Sequence, residues 1–442
     1  MRRFVYTQLL DWKNTPDCER KPLVVEGARQ VGKTWLAREL GANEFETFIE
    51  LNFEKQPSLR SLFELDFDFE RIFLAIMAFT GKKVEPGKTL LFLDEIQWAP
   101  RGLLALKYFN DDVKGLHVVA AGSLLGLVEH SGDSFPVGKV SYINVFPMTF
   151  DEFLLATGKE NLYEVMKSRD WQLVNVLSGK LEDSLRTYYY VGGMPEAVEK
   201  FVSTGGNFAK VRRVQRELIS SYENDFSKHA PTDVLPRINL VWNSIPAHLS
   251  KENKKFVYAA VKSGARAKDY ETAIGWLVKA GLVYKHTRVS KAEVPLAGFE
   301  DTDSFKLFLL DVGLLGAMCS LDRRTLLEGS DFYGQYKGAL TEQYVLQELI
   351  CRNTDDDKVE LHYWAPDSGQ AEVDFVIQSC GKIAPLEAKA EVAVKAKSLK
   401  VFTGRYKTPF VFRTSLLPYF KGDNVTDVPL FAVSKVLDMM RD

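Results

Sequence analysis

Cysteine is scarce and scattered in this chain. Cys18, Cys319, Cys351 and Cys380 show no Cys-x-x-Cys spacing and no histidines grouped beside them. A disulfide framework and a zinc site are therefore excluded as organising features. Long apolar runs are missing too, since no segment approaches the roughly 20 uncharged apolar residues of a membrane-spanning helix. The opening Met1-Arg2-Arg3-Phe4-Val5-Tyr6 lacks the apolar stretch and small-residue cleavage site of a secretory signal, so the expectation is a cytoplasmic protein with no membrane partner. A net charge of -2 excludes a uniformly basic nucleic-acid binder. Basic excess is local: from Lys382 to Lys421 the only acids are Glu387 and Glu391. That stretch reads either as a positive field that draws DNA or RNA, or as a solvated lysine-rich surface.

With 442 residues, 46% apolar and 26% charged, the chain has an ordinary globular composition and enough length for about three folded units. Lys21-Pro22-Leu23-Val24-Val25-Glu26 reads as a buried strand. It runs into Gly27-Ala28-Arg29-Gln30-Val31-Gly32-Lys33-Thr34, a G-x-x-x-x-G-K-[ST] match, and then into the helix formers from Trp35 to Leu40. Strand, glycine loop and helix are the context in which this motif cradles phosphates. Gly27 and Gly32 let backbone N–H groups turn inward, and the helix offers its positive end to the same anion. The loop from Gly27 to Trp35 is thus the candidate binding segment for ATP. Lys33 is placed for the β- and γ-phosphates and Thr34 for Mg²⁺.

A second apolar strand, Thr89 to Leu93, ends in Asp94-Glu95. At such a strand tip Asp94 suits Mg²⁺, and Glu95 suits orientation or deprotonation of an attacking water. A third strand, Leu116 to Ala121, ends at Gly122-Ser123. Ser123 is the candidate sensor of the γ-phosphate, with a helix N-cap as the other reading of the same residue. Strands alternating with helices over residues 20–150 predict an α/β unit with a doubly wound parallel sheet and ligands at the carboxyl ends of the strands.

The combination GARQVGKT at Gly27, LLFLDEIQ at Leu90, AAGSLLG at Ala120, FPMTFDEFL at Phe146, YYVGGMPEAV at Tyr189 and LLDVGLLGAM at Leu309 resembles the prokaryotic AAA-type ATPases that carry a C-terminal domain of unknown function. The resemblance spans nearly the whole chain. It implies an AAA+, additional-strand P-loop NTPase fold, a helical connector, a winged-helix segment and a restriction-endonuclease-like α/β end. Many relatives of that class form rings with an arginine supplied in trans, so a homo-oligomer is a further expectation. Similar proteins usually carry arginine where Lys139 stands. Lysine cannot make a bidentate fork to phosphate, and the arginine finger stays unassigned.

The expected boundaries are 1–155 for the ATPase, 156–235 for a helical connector or lid, 236–295 for a winged-helix-like module and 296–442 for the terminal domain. Within the third, Lys254 to Val261 is predicted as a helix, Gly264 to Ala267 as a turn, Lys268 to Ala280 as a second helix and Leu282 to Val289 as a strand. That order can place a helix in a DNA groove or simply pack against neighbours. In the last segment four pieces follow the order of a PD-(D/E)XK nuclease: Glu342 on an amphipathic helix, the strand Leu361 to Trp364, Asp374 on a strand, then Glu387 and Lys389 on another. Glu387 and Lys389 share a strand face by alternation. Asp374 and Glu387, with Glu342 as a further ligand, can hold Mg²⁺, and Lys389 can stabilise charge on a phosphate. An ion pair on a strand kept as a docking surface would look the same.

Three functions fit these residues. One is an ATPase that controls a nucleic-acid-binding and cutting terminal domain. A second is a nucleotide-gated protein-interaction switch with a silent terminal domain. A small-molecule kinase fits less well, because the Asp94-Glu95 pair suits activation of water.

Overall fold

Short β-branched runs ending in polar residues build the first unit, residues Arg3–Phe146 with Lys279–Gly281. Its strands are β1 (Leu23–Glu26), β2 (Thr47–Asn52), β3 (Thr89–Asp94), β4 (His117–Ala121) and β5 (Ser141–Asn144). They pair in parallel in the order β2-β3-β4-β1-β5. The computed structural model describes residues 1–122, 138–323, 334–353, 358–367, 371–390 and 397–441; Ser123 lies outside them. β4 is inserted between the strand that leads into the glycine loop and the strand that ends in Asp94, which is the additional-strand order. β3 and β4 are buried along their whole length, as continuous apolar runs covered on both faces should be. Leu91, Leu93, Val118 and Ala120 pack there with Phe63, Leu106 and Phe109.

The second unit holds Met1–Arg2, Pro147–Val278 and Leu282–Asp442. Six helices between Phe150 and His229 bear out the helical reading of that stretch. The predicted helix from Lys254 is corrected: only Tyr258–Val261 is helical. Lys254 sits at φ +50 and the Phe256 N–H donates to Phe305 O at 2.9 Å, so an edge-like pairing wins over helix propensity there. The following helix, Ala267–Lys279, lies close to its predicted span.

An eight-stranded mixed sheet follows, with β6 (Val283–Val289), β7 (Glu300–Leu309), β8 (Glu360–Trp364), β9 (Val373–Ser379), β10 (Lys382–Ala388), β11 (Phe412–Ser415), β12 (Phe420–Lys421) and β13 (Thr426–Pro429). Its order is β12-β13-β11-β10-β9-β8-β6-β7. β6 is antiparallel to β7 and parallel to β8, so residue 295 lies inside a paired hairpin. The expected boundary there gives way to one shared sheet, and the structure groups the three non-ATPase segments in one compact unit. Among the described residues no helix is long and apolar enough to cross a membrane.

The paired glycines of YYVGGMPEAV owe their place to packing. Gly192 stands at φ +73, and a Cβ there would lie 2.2 Å from Asp311 Oδ1. At Gly193 it would lie 2.1 Å from Met148 O. The Gly193 N–H donates to Asp311 Oδ2 at 2.6 Å, and its carbonyl accepts from Met148 N at 2.6 Å. Gly193→Ala is therefore expected to lower unfolding stability in urea by at least about 2 kcal/mol. Gly179→Ala, at a helical glycine with open space around it, should change stability by less than about 1 kcal/mol. Equal midpoints for the two variants would refute this steric account.

Candidate functional site

The glycine loop closes between β1 and the helix Lys33–Glu44. Gly27 is at φ +136 and Gly32 at φ +101, and a Cβ on Gly27 would meet Val145 O at 2.2 Å. Ala28 and Val31 are buried, Arg29 is half-buried, and Gln30 and Trp35 are exposed, so the loop is anchored by its apolar members. Gln30 adopts φ +66, a left-handed step that helps turn backbone N–H groups inward. Arg3 pins the loop from behind by donating to Val31 O at 2.9 Å and Phe146 O at 2.7 Å.

Lys33 is buried, and its ammonium donates to Gly27 O and Ala28 O, each at 2.8 Å. Burial pulls it down to about 8, against the pull of Glu95 and Asp94. The Thr34 hydroxyl donates toward the Asp94 carboxylate at 3.3 Å, and Asn52 Nδ2 donates to Asp94 Oδ2 at 2.8 Å. Burial, then the charge of Glu95, pushes Asp94 up to about 6, while Asn52 and Thr34 act the other way. A carboxyl group so raised is one that a cation would relieve. Thr34 and Asp94 present adjacent hard oxygen donors, and these fit Mg²⁺. Glu95 occupies the left-handed region at φ +51, and Gln97 Nε2 donates to its Oε2 at 2.5 Å. That backbone position turns the acid sharply off the strand end.

Lys139 makes an exposed ion pair with Asp111 at 2.8 Å. Sequence reasoning missed Arg3 and Asn52. Asn52 had a signal: it ends β2 as Asp94 ends β3, and the two are register partners.

The terminal candidates converge separately. β9 and β10 form a hairpin whose turn residues, Cys380 at φ +48 and Gly381 at φ +70, are both left-handed. The pairing sets Asp374 beside the end of β10, where Ala388 N donates to Asp374 Oδ2 at 2.9 Å. Lys389 pairs with Glu387 Oε1 at 2.6 Å. Glu342 comes from the helix Gly334–Ile350. Glu342, Asp374, Glu387 and Lys389 all line one cleft of about 630 Å³, together with Lys254 and Glu372.

Burial, reinforced by Glu342 and Glu387, pushes Asp374 well above the usual carboxylate range. Burial raises Glu387 as well, with Lys389 opposing. Glu342 behaves differently. Burial would raise it, but Lys306 and Lys254 hold it at about 2, bonded to its two oxygens at 3.2 and 2.6 Å. Among the described residues no group of three or more His, Cys, Asp or Glu is arranged to hold a metal ion. The expected trio therefore shares a cleft without forming a ready cage, since Glu342 is drawn to its lysines. Lys254 and Lys306 went unseen because they come from distant parts of the chain, and Glu372, two residues before Asp374, because its partner is Lys306.

Residues 19–154 match the family model described as an AAA domain. Residues 182–325 and 337–432 each match a model described as a domain of unknown function, DUF8612 and DUF4143 respectively. No curated protein matches the chain. Among solved structures, a Walker-type ATPase of Pyrococcus abyssi is similar at 16% identity over 72% of this chain and 95% of that chain, with a TM-score of 0.42. The Aeropyrum pernix ORC1 protein in complex with DNA is similar at 13% identity over 72% of this chain and 91% of that chain, with a TM-score of 0.28. The first unit thus carries an AAA-type P-loop domain with a five-stranded parallel sheet.

Proposed function

We propose that the chain binds ATP with Mg²⁺, hydrolyses it at the P-loop, and uses that cycle to control a terminal cleft that binds and cuts nucleic acid. The observation that carries the ATPase reading is the cluster of buried Lys33 and Asp94 with half-buried Thr34, and Glu95 turned off the same strand end. Lys33 would leave the loop carbonyls for the phosphates, Thr34 and Asp94 would hold the ion, and Glu95 would take up the proton of the attacking water. Mg²⁺ supplies charge neutralisation on the phosphates. Asn52 is a positioning residue, because its amide donates to Asp94 Oδ2 and so restrains the carboxylate whose two oxygens lie 3.3 and 3.4 Å from the Thr34 hydroxyl.

The nuclease half is supported by Asp374, Glu387 and Lys389 lining one cleft. A bound divalent ion there would lower the pKa of a water that attacks phosphorus. A second reading, a protein-interaction switch with a silent terminal domain, is favoured by the lysines that already neutralise Glu342.

The test uses purified chain with Mg²⁺ or Mn²⁺, and with or without ATP. Phosphate release is expected with ATP, as is metal-dependent cutting of DNA or RNA that changes with the nucleotide. Phosphate release with no cut in either polymer would leave the switch; no release would remove the ATPase.

A further inference from the structure

We propose that Lys254 is a built-in cation that closes the terminal cleft to divalent metal: its ammonium holds Glu342 and must leave before Glu342, Asp374 and Glu387 can share an ion. This rests on the metal-site reading above and adds its regulation.

The two lysines on Glu342 are not equivalent. Lys306 belongs to β7, is 1% exposed, and also holds Glu372 Oε1 at 2.8 Å. It is part of the sheet's permanent charge balance. Lys254 directly follows the turn at Glu252 and Asn253, at a left-handed φ of +50 that a lysine rarely adopts. Its neighbours Lys251, Glu252 and Asn253 are exposed and line the mouth of the same cleft. Two residues further on the chain is fixed. Phe256 N donates to Phe305 O at 2.9 Å, the Phe256 ring stacks on His248 at 4.5 Å, and His248 Nε2 lies 3.1 Å from Val257 O. Lys254 can therefore swing outward about a firm anchor without disturbing the strands.

A second feature points to a cation in the cleft. Glu387 is 4% exposed, Lys389 pairs with its Oε1, and among the described residues Oε2 has no hydrogen-bond partner. Buried carboxylate oxygens are normally satisfied, and one left open beside Asp374 is a position for a ligand. The cleft thus combines an unsatisfied acceptor with a removable positive charge. A divalent ion and the Lys254 ammonium compete for Glu342, so whatever draws the 251–254 segment outward would admit the metal. A polyanion meeting Lys251 and Lys254 has the charge to do so.

Calorimetric titration of the full-length, nucleotide-free chain with Mn²⁺ tests this. Lys254→Gln should bind Mn²⁺ at least about tenfold more tightly than wild type, within the span usual for coupled sites. Lys254→Arg, which keeps the charge, should match wild type, and the gain should vanish in Lys254→Gln combined with Glu387→Gln. Should wild type and Lys254→Gln bind equally, with that binding lost on Glu387→Gln, the metal site stands and the plug is wrong. Were no Mn²⁺ binding sensitive to Glu387→Gln, both would fall. A tenfold gain in Lys254→Arg would also overturn the plug. A measurement without substitution guards against misfolding. Saturating Mn²⁺ should raise acylation of Lys254, relative to Lys255, by at least about threefold in wild-type protein, as a shift in the open population requires. An unchanged ratio overturns the proposal.

Discussion

A Glu95→Gln chain should bind MgATP as tightly as wild type and release phosphate about 10² to 10⁴ times more slowly, the usual contribution of a positioned general base. The split between binding and turnover follows from where the charges sit. In the proposed site phosphate affinity would come from the loop amides, Lys33 and the Thr34–Asp94 pair, none of which the substitution removes. Gln97 donates to Glu95 Oε2 at 2.5 Å. A glutamine at position 95 can still accept that bond through its carbonyl oxygen, so the strand end keeps its shape. What disappears is the carboxylate proposed to orient water and accept its proton. Lys33→Ala should fail in the other way, losing nucleotide uptake along with turnover. Phosphate release and binding of a fluorescent ATP analogue, measured on both variants, separate the two outcomes. Turnover in Glu95→Gln within about threefold of wild type would assign water activation to another residue.

The placement of the P-loop residues was largely legible because they are local in the chain. Lys33 and Thr34 follow the glycine loop directly, and Asp94 and Glu95 are consecutive at one strand end, so motif and strand pattern suffice. What the sequence hid was contributed from far along the chain. Asn52 reaches Asp94 only because β2 and β3 pair in register, and Arg3 reaches Val31 and Phe146 only after folding. The same holds for Lys254 on Glu342. The helix predicted across Lys254 failed where the Phe256–Phe305 pairing overrode helix propensity. The boundary at residue 295 failed because a strand read as part of a small module found its partners in the terminal sheet. The Gly192-Gly193 motif could be seen in the sequence but not explained. Its reason is the close approach of Asp311 and Met148.

In the terminal cleft, Asp374→Asn and Lys389→Ala are each expected to reduce metal-dependent cutting of nucleic acid by at least about a hundredfold, the scale of losing one charge-stabilising group at a reacting centre. Turnover of ATP should stay unchanged in both. The asparagine substitution isolates chemistry from folding. Burial, with Glu342 and Glu387 close by, already pushes Asp374 well above the ordinary carboxylate range, so a neutral amide of the same shape is tolerable in its place. Its carbonyl oxygen can keep accepting from Ala388 N. An amide oxygen nevertheless brings no negative charge, so it holds a divalent cation more weakly than a carboxylate does. Lys389→Ala tests a different feature: it removes the ammonium that pairs with Glu387 Oε1 and that would stabilise charge on a bound phosphate. If cutting survives both changes, the carboxylates are a charge-balanced docking surface, and the P-loop serves a switch. If cutting is lost in both while ATP turnover persists, the nucleotide cycle and the cleft are separable activities of one chain, and coupling between them becomes measurable as the ATP dependence of the cut.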